Sequence, residues 1–198
     1  MYVSIDIETL GVDPETCDII EFGAVIDDMR SPLDKLPTFH RYLLPPNGRK
    51  GIYHGQPFAM AMHADKLKKI AELTAGESKS DCLLIPPHWL PLQLYGWLGS
   101  NGYEAESKVK IVVAGKNFPG FDQRFLRRIE GFENRIQISR RVHDPAELYF
   151  DPKTDLEPPG LNECLKRAGL DKTVTHNALD DAYDVIRVLR HKWDIPCN

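Results

Sequence analysis

The sequence predicts an α/β fold in which helices flank a mixed β-sheet. Three observations carry this expectation. The N-terminal part holds three strand-like stretches, Tyr2 to Glu8, Ile19 to Ile26 and Phe39 to Leu44, with no helix between them. Further on, a continuous apolar run of strand length, Ile111 to Ala114, leads through a turn into a helical pattern. The C-terminal part is helical and ends in an amphipathic stretch that starts near Asn177. With 198 residues, 42% hydrophobic and 27% charged, the chain is long enough for one well-packed domain and short for two.

In the first strand, Val3, Ile5 and Ile7 alternate with Ser4, Asp6 and Glu8. The apolar set belongs to a core, and the other places two carboxylates on one side of a sheet. At about 3.3 Å per residue, their Cα atoms stand roughly 6.6 Å apart, within joint reach of one divalent cation. The alternative is an exposed edge strand with a solvated acidic face.

Val12 to Asp18 is turn-rich, and Ile19 to Ile26 reads as an antiparallel neighbour of the first strand. Phe39 to Leu44, closed by Pro45 and Pro46, completes a three-stranded meander. Gly48, Gly51, Gly55 and Pro57 mark a loop. Ala64 to Leu73 has helical spacing, Thr74 to Asp81 is a polar break, and Leu92 to Leu98 suggests another helix. His54, His63 and His88 lack metal-ligand spacing and read as ordinary surface or satisfied histidines. Ile111 to Ala114 suits a central strand covered on both faces, and Phe121 to Ile129 suits a helix. Val142 to Phe150 is open between strand and short helix. Leu161 to Ala168 is a helix stopped by Gly169. In the last helix Asn177 is the N-cap and Asp180 falls at N3, while Ala178, Ala182, Val185, Ile186 and Leu189 form the buried stripe.

No apolar run approaches the roughly 18 residues of a membrane span, and no signal-like segment opens the sequence. The expectation is a cytoplasmic protein without a membrane partner. Cys17, Cys82, Cys164 and Cys197 are scattered, which fits reduced thiols and disfavours a zinc site. A formal net charge of −4 decides little about partners, because metal-binding carboxylates would contribute to it. Lys116 to Arg141 nevertheless carries seven basic residues against three acidic ones, either a strip that follows a nucleic-acid backbone or a solvated helix face.

Two further acids have a direction. Asp122 opens the helix after the apolar run, where α/β sheets usually place their sites, although a first-turn aspartate also serves the helix dipole. Asp181 lies in the first turn of the last helix beside the buried stripe, while Asp180 already fills the capping role. His176 immediately precedes that helix. A histidine, with a reference pKa of about 6.5, can take a proton from water at neutral pH.

Taken together, Asp6-x-Glu8-Thr9, then Asn117-x-x-x-Phe121-Asp122-x-x-Phe125-Leu126, then His176-x-x-x-x-Asp181 strongly resemble the three motifs of the DEDDh family of 3′–5′ exonucleases. The spacing between Asn117 and Phe121 is similar to that of oligoribonuclease-like members. Leu10 departs from the threonine many members have. The resemblance implies a ribonuclease-H-like fold and one exonuclease domain over 1–198, with a variable insertion at about 47–106. It also implies two divalent cations, Mg²⁺ or Mn²⁺. Asp6 would bridge both, Glu8 and Asp181 would complete one site, and Asp122 would support it directly or through water. His176 would be the general base. Implied substrate contacts are Thr9, Leu10, Asn117, Phe121 and His176, with Phe118 an alternative to Phe121, and Phe121 and Phe125 equally readable as core. The implied partner is single-stranded DNA or RNA, or a short oligonucleotide, released as nucleoside 5′-monophosphates. A homodimer is left open. The competing reading is a catalytically silent nucleic-acid-binding or adaptor module on the same fold.

Overall fold

A computed structural model describes residues 1–75, 83–104 and 106–197. Three long strands come first: β1 (Tyr2–Thr9), β2 (Ile19–Asp27) and β3 (Thr38–Leu43) form the expected antiparallel meander. Next are α1 (Pro57–Met62), α2 (Ala64–Ala75), β4 (Leu84–Ile85) and α3 (Leu90–Ser100). They are followed by β5 (Val109–Ile111), β6 (Val113–Ala114), α4 (Asp122–Leu126), α5 (Phe132–Arg135) and β7 (Ile136–Ile138). The helices α6 (Pro145–Tyr149), α7 (Leu161–Arg167) and α8 (Ala178–Lys192) end the described chain.

The main sheet has the order β4-β3-β2-β1-β6, with β6 parallel to β1 and β4 parallel to β3. A separate parallel pair joins β5 to β7. The mixed α/β architecture expected from the sequence is therefore the one observed. β6 pairs with β1 at Val3 and Ser4. Beyond it the edge is closed by Asp122 of α4, which accepts the Ile7 N–H, and Glu8 is buried, so the acidic face is not a solvated one. Val3, Ile5 and Ile7 enter a core with Phe22, Phe39 and Leu94 of α3. On the other face, Tyr2, Val25 and Ala114 pack against Ala182, Val185, Ile186 and Leu189 of α8. The stripe expected on the last helix is what covers the sheet.

Several expectations need correction. The run Ile111 to Ala114 is not one central strand. Ile111 pairs with β7, whereas Val113 and Ala114 form a short parallel edge to β1, extended among the described residues by a bridge from Ala114 to His143. The odd-numbered valines and isoleucine still alternate into the core, so apolar continuity survived while the pairing partner changed. The helix expected over Phe121 to Ile129 ends at Leu126. Arg128 and Ile129 instead donate to Phe125 and Leu126, three residues back, which tightens the turn and stops the helix. Pro57 opens a helix rather than a loop, at the first helical position where its missing N–H costs nothing. Within Val142 to Phe150, His143 makes the bridge to Ala114 and Pro145–Tyr149 form α6, capped by Asp144, whose carboxylate accepts from the Ala146 N–H at 2.9 Å. The expected polar break lies mostly outside the described residues, as does Cys82.

Candidate functional site

Strand alternation and one helix start build the site. Ser4, Asp6 and Glu8 face α8, and the Ser4 hydroxyl donates to the Ala182 carbonyl at 2.8 Å, fixing helix against strand. The Asn177 side chain caps α8 by accepting from the Asp180 N–H at 3.1 Å. The Asp180 carboxylate accepts from the Thr175 hydroxyl at 3.4 Å, so Asp180 stays outside the site. Asp181, one residue on, is buried. Single ligand atoms of Glu8, His176 and Asp181 lie within 4.8 Å of one another. Asp122, the first residue of α4, is also buried and accepts the Ile7 N–H at 3.2 Å, on the edge of β1 beyond the short β6. Its carboxyl therefore docks on the strand between Asp6 and Glu8.

The electrostatics are those of crowded acids. Burial, then the charges of Asp122, Glu8, Asp181 and Glu21, holds the Asp6 carboxyl well above the usual range. Burial pushes Glu8 up to about 8 against the opposing charge of Lys66. It pushes Asp122 to about 7 and Asp181 to about 6, where the Thr175 N–H bond to Asp181 acts in the other direction. Glu21 behaves differently. Burial would raise it, but the His40 hydrogen bond and the Lys66 ammonium outweigh burial and hold it low.

The sequence reading missed two residues here. His63, between α1 and α2, is buried with Nε2 3.4 Å from a Glu8 carboxylate oxygen. Glu21 is fully buried and faces Glu8 across the β1–β2 ladder. The paired position of Glu21 in the second strand was a usable signal; nothing in the sequence singled out His63.

The expected substrate residues are distributed unevenly. Thr9 donates to the Gly11 carbonyl at 2.7 Å. Leu10 is fully buried, its N–H bonded to Asp18 and its carbonyl to Gln56. Asn117 is exposed at a positive φ of 53°, its N–H held by Asp144 at 2.8 Å. It lines a groove of about 770 Å³ with His143, Asp144 and Trp193, apart from the carboxylates. Phe121 is half-buried, 5.2 Å from the Phe125 ring, and Phe118 is core. In the basic strip Arg127 pairs with Glu133 at 3.0 Å and Arg128 pairs with Glu15, which favours the solvated-surface reading for both.

The donor set fits a hard divalent cation. Carboxylate oxygens are its preferred ligands, and the burial of these acids, with the repulsion that Asp6 and Glu8 feel from their neighbours, is what such a charge offsets. Glu8 Oε1 is buried and has no hydrogen-bond donor among the described residues, leaving an oxygen for that role.

Solved structures provide a comparison. The fold is similar to that of E. coli exonuclease I bound to single-stranded DNA in its zinc ion-bound form, at 16% identity and a TM-score of 0.59, over 95% of this chain and 39% of that one. A moderately thermophilic exonuclease I from Methylocaldum szegediense gives 16% identity and 0.59, over 95% and 40%. A product-bound exonuclease I gives 12% and 0.56, over 97% and 43%. The shared feature is a ribonuclease-H-like fold, and the chain spans about two-fifths of the length of these structures. No protein-family model matches the chain, and no curated protein sequence does.

Proposed function

We propose that the chain is a metal-dependent 3′–5′ exonuclease of the DEDDh type. It removes nucleoside 5′-monophosphates from single-stranded nucleic acid or short oligonucleotides. The observation that carries this reading is the convergence of Glu8, His176 and Asp181 within 4.8 Å, beside buried Asp122 and the Asp6 carboxyl. The likeness of the fold to exonuclease I supports it, as does the order of the three motifs.

Asp6, Glu8, Asp122 and Asp181 would hold two divalent cations, Mg²⁺ or Mn²⁺. When bound, such ions supply charge stabilisation to the attacking and leaving oxygens of a phosphodiester. His176 is exposed at the rim and takes the proton of the attacking water. Its backbone conformation, φ 53°, turns the segment back into α8. The whole of 1–198 would act as one unit, with 47–106 its variable segment. Unpaired Cys17, Cys164 and Cys197 accord with a reducing, cytoplasmic setting.

A fluorescent oligonucleotide incubated with Mg²⁺ should shorten from its 3′ end, and Asp181→Asn should abolish shortening. Full activity in excess EDTA would sink the reading, and tight binding without shortening would favour the silent module. Matched RNA and DNA of several lengths separate a preference for short oligonucleotides, suggested by the Asn117–Phe121 spacing, from one for long single-stranded DNA.

A further inference from the structure

Glu21 stands directly opposite Glu8, so its side chain emerges on the same face of the sheet. Its oxygens are nonetheless filled by protein donors. They are His40 Nε2 at 2.6 Å, Asn177 Nδ2 at 3.3 Å, the Ala178 N–H at 3.2 Å, and the Lys66 ammonium. Two of these donors are the start of α8: its cap side chain and its first helical N–H. Lys66, in the first turn of α2, makes a second bond, from Nζ to the His176 carbonyl at 2.9 Å.

That second bond falls on a segment whose earlier residues are tied elsewhere, Val174 to Asn162 and Thr175 to Asp180 and Asp181. Residues 171–177 carry no regular structure, and His176 is held at φ 53°, a left-handed conformation that non-glycine residues adopt at a cost and keep only when surroundings fix it. Glu21 holds the residue after His176 by its side chain, and Lys66 holds His176 itself by its carbonyl.

We propose that Lys66 and Glu21 form a positioning pair for His176. Lys66 anchors the backbone of the histidine, and Glu21 anchors both Lys66 and the helix start that carries Asp181. The consequence for turnover rests on the exonuclease reading; the mechanical tie does not. The proposal also gives the variable segment at about 47–106 a task, because it delivers Lys66 to the site.

The test is Lys66→Met, which leaves Glu21 three of its four donors and a folded core. At saturating oligonucleotide kcat should fall about 10- to 100-fold, with KM and calorimetric Mn²⁺ affinity each within about 3-fold of the parent. In a His176→Ala background the same substitution should add almost no further loss, since coupled residues are non-additive. With isotope-labelled histidine, the His176 ring resonances should shift or broaden in Lys66→Met while those of His143 stay. Glu21→Gln keeps one acceptor oxygen but turns an NH2 group toward two of the four donors, so it should lose at least as much kcat as Lys66→Met. Part of that loss should persist in the His176→Ala background, because Glu21 also holds the helix start that carries Asp181. Additive losses for Lys66→Met and His176→Ala, or unmoved His176 resonances, would overturn the proposal. So would a fall in Mn²⁺ affinity matching the fall in kcat, which would put Lys66 to work on Glu8. If the parent chain cleaves nothing yet its His176 resonances move in Lys66→Met, the tie stands and the exonuclease reading falls.

Discussion

At the scale of single residues, the site is a set of acids that the fold holds at a cost. Burial raises Asp6, Glu8, Asp122 and Asp181, and the charges of their acidic neighbours in the site add to it for Asp6 and Glu8, so neutralising one should help the fold while harming the proposed reaction. Asp181→Asn keeps an acceptor for the Thr175 N–H and removes one negative charge. We expect the metal-free protein to gain about 1 kcal/mol at pH 8, or about 2–4 °C in melting temperature, and to lose cleavage altogether. Thermal melts in EDTA alongside the oligonucleotide assay check both halves. His176 should separate differently, because its proposed role is in proton transfer and its charge acts on Asp181 in the direction opposite to burial. His176→Ala should lower kcat by about 10²- to 10⁴-fold, the usual contribution of a general base, with Mn²⁺ affinity in calorimetry almost unchanged. The five expected residues were legible because each sits at a local landmark: an alternating strand, a helix start or a cap. Glu21 and His63 were not, because their meaning comes from partners far apart in the chain. Glu21 depends on residues from β3, α2 and the start of α8, and His63 on a strand carboxylate over fifty residues earlier.

At the scale of elements, the site depends on how closely α8 lies on β2. A Cβ built at Gly23 would fall 2.4 Å from the Ala178 carbonyl carbon and oxygen and the Leu179 nitrogen, all backbone atoms that no rotamer change can move. Gly23→Ala should therefore push the first turn of α8 off the sheet, at a cost of about 1–3 kcal/mol. It should also reduce cleavage, because Asp181 and the Glu21 contacts move with that turn. Urea denaturation reads the first effect; a variant as stable and active as the parent would show that the helix start is not fixed there. Sequence periodicity foresaw α8 well, with its stripe and its cap both in register. It foresaw α4 poorly, since Phe125 and Ile129 keep helical spacing across a turn that is no longer helical. The run at Ile111 to Ala114 shows the same limit. An apolar run reports burial and says nothing of which strand it will pair with.

At the scale of the whole molecule, the acidic cluster sets how stability responds to pH. Glu8, Asp122 and Asp181 have folded-state values of about 8, 7 and 6, against about 4 for exposed carboxylates in an unfolded chain. Between those limits the folded protein binds more protons than the unfolded one, so stability falls as pH rises. The contribution of these groups is complete below about pH 4 and is lost progressively up to about pH 8. Carboxylates such as Asp28, lowered to about 2 by hydrogen bonds from Ser31 and Arg30, oppose this trend only in strong acid. In EDTA the melting temperature should therefore decline from pH 5 to pH 8.5. Mn²⁺ binds the ionised carboxylates of the folded state, so its stabilisation should grow over the same range. The two melting curves should thus converge near pH 5 and separate by several degrees near pH 8. A metal-free curve that is flat or rising over this window would mean that the acids are not crowded in solution. Curves that stay together at every pH would mean that they do not gather a cation, and the reading of the site as a metal-dependent nuclease would go with them.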